Sequence, residues 1–96
     1  MEWTWDDRKA ARNLRDHGVR FETAALVFED DHCISRPDPH EDRDRWRTLG
    51  MVGLSTLFVV HTVIEDDGSA RIISARKATP GERRLYERLR FQGNNP

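Results

Sequence analysis

The apolar positions of this chain change period along its length. Trp3 and Trp5 alternate with polar residues, which predicts a short edge strand at the start. Ala10, Ala11 and Leu14 then form a thin stripe at helical spacing, flanked by Arg8, Lys9, Arg12 and Arg15. Asp6 precedes the stripe as an N-cap whose carboxylate can accept from the free N–H groups of a first turn. Gly18 follows it as a left-handed C-cap, so a helix is predicted over residues 7–16. Phe21, Ala24, Ala25 and Phe28 recur at i, i+3, i+4 and i+7, which predicts a second, core-facing helix over residues 22–29.

Beyond Asp30 the period falls to two. Residues 33–35 form a short strand candidate, and residues 37–42 read as a polar loop because Pro37 and Pro39 cannot donate to a ladder. Strands are predicted over residues 45–51, 57–64 and 71–76. The middle one is the most apolar and is expected at the centre of a sheet. Asp67-Gly68 supplies a hairpin turn between the last two. Thr79-Pro80-Gly81-Glu82 opens a final helix: Thr79 caps it, Pro80 takes the first helical position and Glu82 closes a capping box. The segregation of helices and strands predicts an α+β fold. It would have N-terminal helices, an antiparallel β-meander sheet of about four strands and a C-terminal helix, in one domain over residues 1–92 with a disordered tail over 93–96.

Length narrows the class. The 96 residues leave room for one core, which excludes a two-domain enzyme and a dinucleotide-binding fold. No apolar run approaches the ~20 residues of a membrane span. The N-terminus lacks a signal peptide's basic and apolar regions, and the single Cys33 cannot form an internal disulfide. A cytoplasmic protein without membrane association is expected. The net charge of −1 conceals an uneven distribution: residues 1–28 carry net 0, residues 29–67 net −6 and residues 68–96 net +5. Of the 16 basic residues 14 are Arg, whose planar fork suits phosphate, although a codon preference for Arg explains the bias equally well.

No P-loop or nucleophile elbow is present, and His32, Cys33, His40 and Asp42 match no standard zinc spacing. No metal and no cofactor are therefore expected. His61 interrupts the most apolar strand, and strand neighbours could bring Arg45, Arg71, Arg76 and Lys77 near it. Cleavage of RNA without metal needs a base for the 2′-hydroxyl, cations for the phosphate and an acid for the leaving 5′-oxygen. His61 is the candidate acid or base, with Arg76 and Arg45 on the phosphate and Asp44 or Tyr86 in support. Lys77, Arg71 and Arg12 are candidate RNA contacts. The competing reading of His61 is a partly buried ring bonded to a backbone carbonyl. Trp3, Trp5 and Trp46 could stack on bases, but at least two of the three are expected in the core.

Taken together, these residues resemble the BrnT toxins of bacterial type II toxin–antitoxin systems. The resemblance runs from about Trp3 to Tyr86. It rests on Trp5-Asp6, Lys9, Asn13, His17-Gly18-Val19, Phe21 and Val27-Phe28, then on Asp44-Arg45-Trp46, Gly50 and Leu57-Phe58-Val59-Val60-His61-Thr62. Arg71-Ile72-Ile73-Ser74-Ala75-Arg76-Lys77-Ala78 is the most specific stretch, followed by Glu82 and Tyr86. The resemblance implies a RelE-like fold and a ribonuclease that arrests translation. It also implies neutralisation by a BrnA-type ribbon-helix-helix antitoxin, in an assembly of two toxins and two antitoxins that binds operator DNA and represses its own operon. Asp44 stands where the family often has Glu, and Ile64 where it often has Arg. Those departures keep a second reading open: a nuclease-dead module that binds nucleic acid or a partner only in complex with the antitoxin.

Overall fold

The computed structural model describes residues 2–39 and 44–93, and the side chains of 2–39 and 44–91. Its elements are β1 (Glu2–Thr4), α1 (Asp7–His17), α2 (Phe21–Ala25), a 3-10 turn (Leu26–Glu29), β2 (Ile34–Pro37), β3 (Arg45–Val52), β4 (Ser55–Thr62), β5 (Ser69–Lys77) and α3 (Pro80–Gly93). The order agrees with the α+β expectation. His40 and Asp42, weighed above with His32 and Cys33, lie outside the described residues, as does the tail from Asn94.

Local signals set the helix ends. The Asp6 carboxylate accepts from the N–H groups of Arg8 and Lys9 at 2.9 and 3.1 Å, and Gly18 takes φ +71° after α1. Gly tolerates that left-handed geometry without a Cβ clash. At α3 the capping box forms as read: the Glu82 N–H donates to the Thr79 hydroxyl at 3.2 Å, and the Thr79 N–H donates to the Glu82 carboxylate at 2.9 Å.

The sheet differs from the expected meander of about four strands. It has five, in the order β1-β5-β4-β3-β2. Strands β2 to β5 are antiparallel neighbours, but β1 pairs parallel to β5, with Trp3 opposite Ala70. After β1 the chain crosses one face as α1 and α2, so β1 runs alongside the last strand at the far edge. Strand β2 also continues to Pro37, which stands opposite Trp46 at the other edge of the sheet. An edge strand has one unpaired side, so a residue lacking N–H costs the ladder nothing there.

The core lies on the face covered by α1, α2 and the 3-10 turn. Leu57, Val59, Ile72 and Ala75 of the sheet meet Val19, Phe21, Ala24 and Val27, with Trp3, Trp5 and Phe28 at the margin. Two contacts fix the depth of this layer. Asn13 is buried and donates to the carbonyls of Val19 and Ala75 at 2.9 and 2.8 Å while accepting from the Ala75 N–H at 3.0 Å, tying α1 to β5. Gly50 lets the 3-10 turn press on β3, since a Cβ there would lie 2.7 Å from Val27 Cγ1. Among the described residues no helix is long and apolar enough to cross a membrane.

Candidate functional site

Cross-strand register decides which side chains share a face, because residues directly opposite one another point the same way. On the face away from α1 and α2, Ile34, Leu49, Phe58 and Arg76 form one row across β2 to β5. Arg36, Arg47, Val60 and Ser74 form the next, and Arg45 and Thr62 follow. Arg71 joins that last row, its N–H donating to the Thr62 hydroxyl at 2.9 Å. One sheet face therefore presents Arg36, Arg45, Arg47, Arg71 and Arg76.

Helix α3 borders this face and turns part of it into a groove of about 190 Å³, lined by Ile34, Arg36, Arg47, Leu49, Phe58, Glu82 and Leu85. The lining is apolar except for Arg36, Arg47 and Glu82. Arg76 lies over the Phe58 ring, 4.1 Å from its centroid, and pairs bidentately with Glu82 at 2.8 and 3.0 Å. That pairing holds Arg76 more firmly charged and keeps Glu82 below the usual carboxylate range. Arg36 and Arg47 stand opposite each other across β2 and β3, and neither has an ion pair among the described residues. Like charges so placed destabilise a sheet, and an anion between them would relieve the repulsion. Arg45 adds a buried Nε that has no hydrogen-bond partner among the described residues.

The sequence-predicted residues divide between the two faces. Arg45, Arg71 and Arg76 come together on the arginine face, and Asp44 is exposed beside Arg71 in a shallow pocket with Thr4, Thr62 and Glu65. His61 does not join them. It stands opposite Trp46 and Ile72 on the helix-covered face, is 2 % exposed, and packs edge-on against Trp3 and Phe28. Its Nδ1 is 2.7 Å from the Thr62 carbonyl and its Nε2 is 2.7 Å from the Thr48 hydroxyl. A carbonyl only accepts, so Nδ1 carries the proton and Nε2 accepts from Thr48. Ser35 in turn donates to Thr48 at 2.7 Å. Burial lowers the pKa of His61 below its ordinary value. The expected convergence of His61 with Arg45 and Arg76 is thus absent, because the sheet itself separates them.

Tyr86 is also enclosed. It has no exposed surface and donates to the Asp30 carboxylate at 2.5 Å. Burial, then that hydrogen bond, pushes its hydroxyl up to about 12. Lys77 is exposed at the end of β5 near Leu14, Val19 and Leu57, on the helix-covered side, and Arg12 is exposed on α1. Arg36, Arg47, Phe58 and the groove side of Glu82 were not singled out from the sequence. Arg45 and Arg47 are two apart on one strand, a spacing that places them together, whereas Arg36 falls between the strand expected over residues 33–35 and the loop expected from Pro37.

The sequence model of the family described as "Ribonuclease toxin, BrnT, of type II toxin-antitoxin system" matches residues 5–82. The fold is similar to the crystal structure of the Brucella abortus ribonuclease toxin BrnT, with a TM-score of 0.66 and 28% sequence identity, over 82% of this chain and 97% of that one. No curated protein matches the chain.

Proposed function

The chain belongs to the BrnT family of ribonuclease toxins of type II toxin–antitoxin systems, and from that premise we propose that its arginine face holds single-stranded RNA for cleavage. The observation that carries this reading is the opposed pair Arg36 and Arg47, unpaired among the described residues, above an apolar floor. Guanidinium forks bind phosphate bidentately, and an apolar floor suits an unstacked base. Arg76, Arg45 and Arg71 extend the same cationic surface along the sheet and contact the flanking phosphates, with Asp44 at its rim. His61 and Tyr86 serve as framework groups, and Arg12 and Lys77 lie off the RNA path. Fixed guanidinium groups stabilise charge that rises on the phosphate in the transition state, and we read the cleavage as needing no metal.

The finer features of the system rest on family membership. We read the fold as RelE-like and the protein as a cytoplasmic toxin that arrests translation. Its antitoxin is BrnA-type, with a ribbon-helix-helix domain, and two toxins with two antitoxins bind operator DNA and repress the operon.

Purified protein incubated with total RNA and EDTA tests the central reading. RNA fragments should accumulate. Arg36→Ala and Arg47→Ala should each lower RNA affinity about tenfold, the scale of one ~1.5 kcal/mol charge-assisted bond, while Lys77→Ala changes it little. Intact RNA with binding retained would leave a module that acts only through its complex.

A further inference from the structure

We propose that Glu82 is the general base of RNA cleavage in this protein, taking the proton from the attacking 2′-hydroxyl; the proposal rests on the arginine face being the RNA site. Glu82 is the one carboxylate among the described residues that line the groove, and it shares that groove with Arg36 and Arg47. Its position is fixed from two sides. The N-terminus of α3 holds it through the Thr79 N–H, and β5 holds it through Arg76. A carboxylate pre-oriented beside three phosphate-binding groups meets the geometric requirement for a base, since the hydroxyl it must reach is adjacent to the bound phosphate.

A purely structural role explains the ion pair but not its location. Glu82 lines the groove, and the two side chains of the pair remain about one-third and one-quarter exposed. A substrate phosphate would compete directly for the Arg76 guanidinium. Each hydrogen bond transferred from Glu82 to the phosphate removes part of what keeps the carboxylate's proton affinity low. Substrate binding thereby frees an oxygen of Glu82 and strengthens it as a base at the same moment.

The step balances without an added reagent beyond solvent water. The 2′-hydroxyl proton moves to Glu82 as the 2′-oxygen bonds to phosphorus. The bond from phosphorus to the 5′-oxygen breaks, and that oxygen takes a proton from water. The products are a 2′,3′-cyclic phosphate and a 5′-hydroxyl, and Glu82 returns its proton to solvent.

The test uses the full chain and an RNA oligonucleotide that the parent cuts, with a matched strand bearing 2′-deoxyribose at the cleaved position. Glu82→Gln is the informative variant, because Gln also closes a capping box and so preserves the start of α3. Its cleavage rate should fall at least ~100-fold, the lower bound for loss of general-base catalysis, while its RNA affinity stays within about threefold of the parent. The parent should leave a cyclic phosphate end and should not cut the deoxy strand. Glu82→Asp, which keeps the charge but shortens the arm, covers the case in which the Gln variant unfolds; it should fold and cut at an intermediate rate. A folded Glu82→Gln protein that cuts within threefold of the parent overturns the role of Glu82 and leaves the RNA-site reading intact. A parent that cuts no RNA overturns both.

Discussion

His61 interrupts an apolar strand, yet both of its ring nitrogens are occupied and its edges meet Trp3 and Phe28. Replacing it with Ala removes a packed ring and leaves the Thr48 hydroxyl and the Thr62 carbonyl short of a partner. Cavity and lost hydrogen bonds together should cost ~2–4 kcal/mol in urea unfolding, and any fall in RNA cleavage should track the unfolded fraction. The same site makes stability pH-dependent. The folded pKa of His61 lies below its ordinary 6.5, so the unfolded chain takes up the proton first as pH falls. Stability from this group is intact above about pH 6.5 and is lost progressively between there and the folded pKa. The parent should lose more stability across that interval than His61→Ala does, and equal slopes would remove His61 as the cause. The sequence made both readings of this residue available. The burial reading prevails because Thr48, two residues beyond Trp46, presents a hydroxyl on the same face.

At the scale of elements, two of the polar contacts that fasten α3 serve different purposes. The Arg76–Glu82 pair joins its first turn to β5, and Tyr86 joins its middle to Asp30, which also accepts from the Met51 N–H at 2.8 Å. Tyr86→Phe keeps the ring and removes one hydrogen bond. Stability should fall by ~1–3 kcal/mol, seen as a lower urea midpoint, while cleavage per folded molecule is unchanged. A selective loss of cleavage in a protein of parental stability would instead return Tyr86 to the chemistry. The helix caps and apolar stripes were legible because they involve residues two to four apart. The extension of β2 through Pro37 was not, because proline is acceptable in a strand only at an edge, and edge position is a property of the assembled sheet.

Over the whole molecule, a chain of net charge −1 gathers Arg36, Arg45, Arg47, Arg71 and Arg76 on one sheet face. Binding of RNA there should release counterions. If all five contact phosphates, a single-strand slope of ~0.7 per contact predicts that affinity falls roughly 100-fold between 50 and 200 mM salt, measurable by titration with a short labelled RNA. An affinity nearly independent of salt would place the RNA elsewhere. The segment charges hinted at a basic surface in the last third of the chain, but three of these arginines come from the acidic middle, residues 29–67.

What the sequence by itself determined is local: where α1 and α3 begin, which stretches alternate as strands, that β4 is apolar enough to be central, and the family to which the ordered matches belong. These features depend on interactions within a turn of helix or along one strand. The tertiary structure alone decided the partners across the sheet. Strand β1 found its place beside β5 through contacts with residues far along the chain. The register of β3 on β4 put His61 with Trp46 and turned Arg45 and Arg47 to the other side. Arg71 and Arg76 are an odd number of residues apart, so strict alternation would point them oppositely. The register shift at Val60 and His61 leaves an extra residue between Ile72 and Ser74 and brings both arginines to one face. Side-chain direction in a strand reverses with every residue, so a single insertion changes which groups meet, and no local pattern records where that insertion falls.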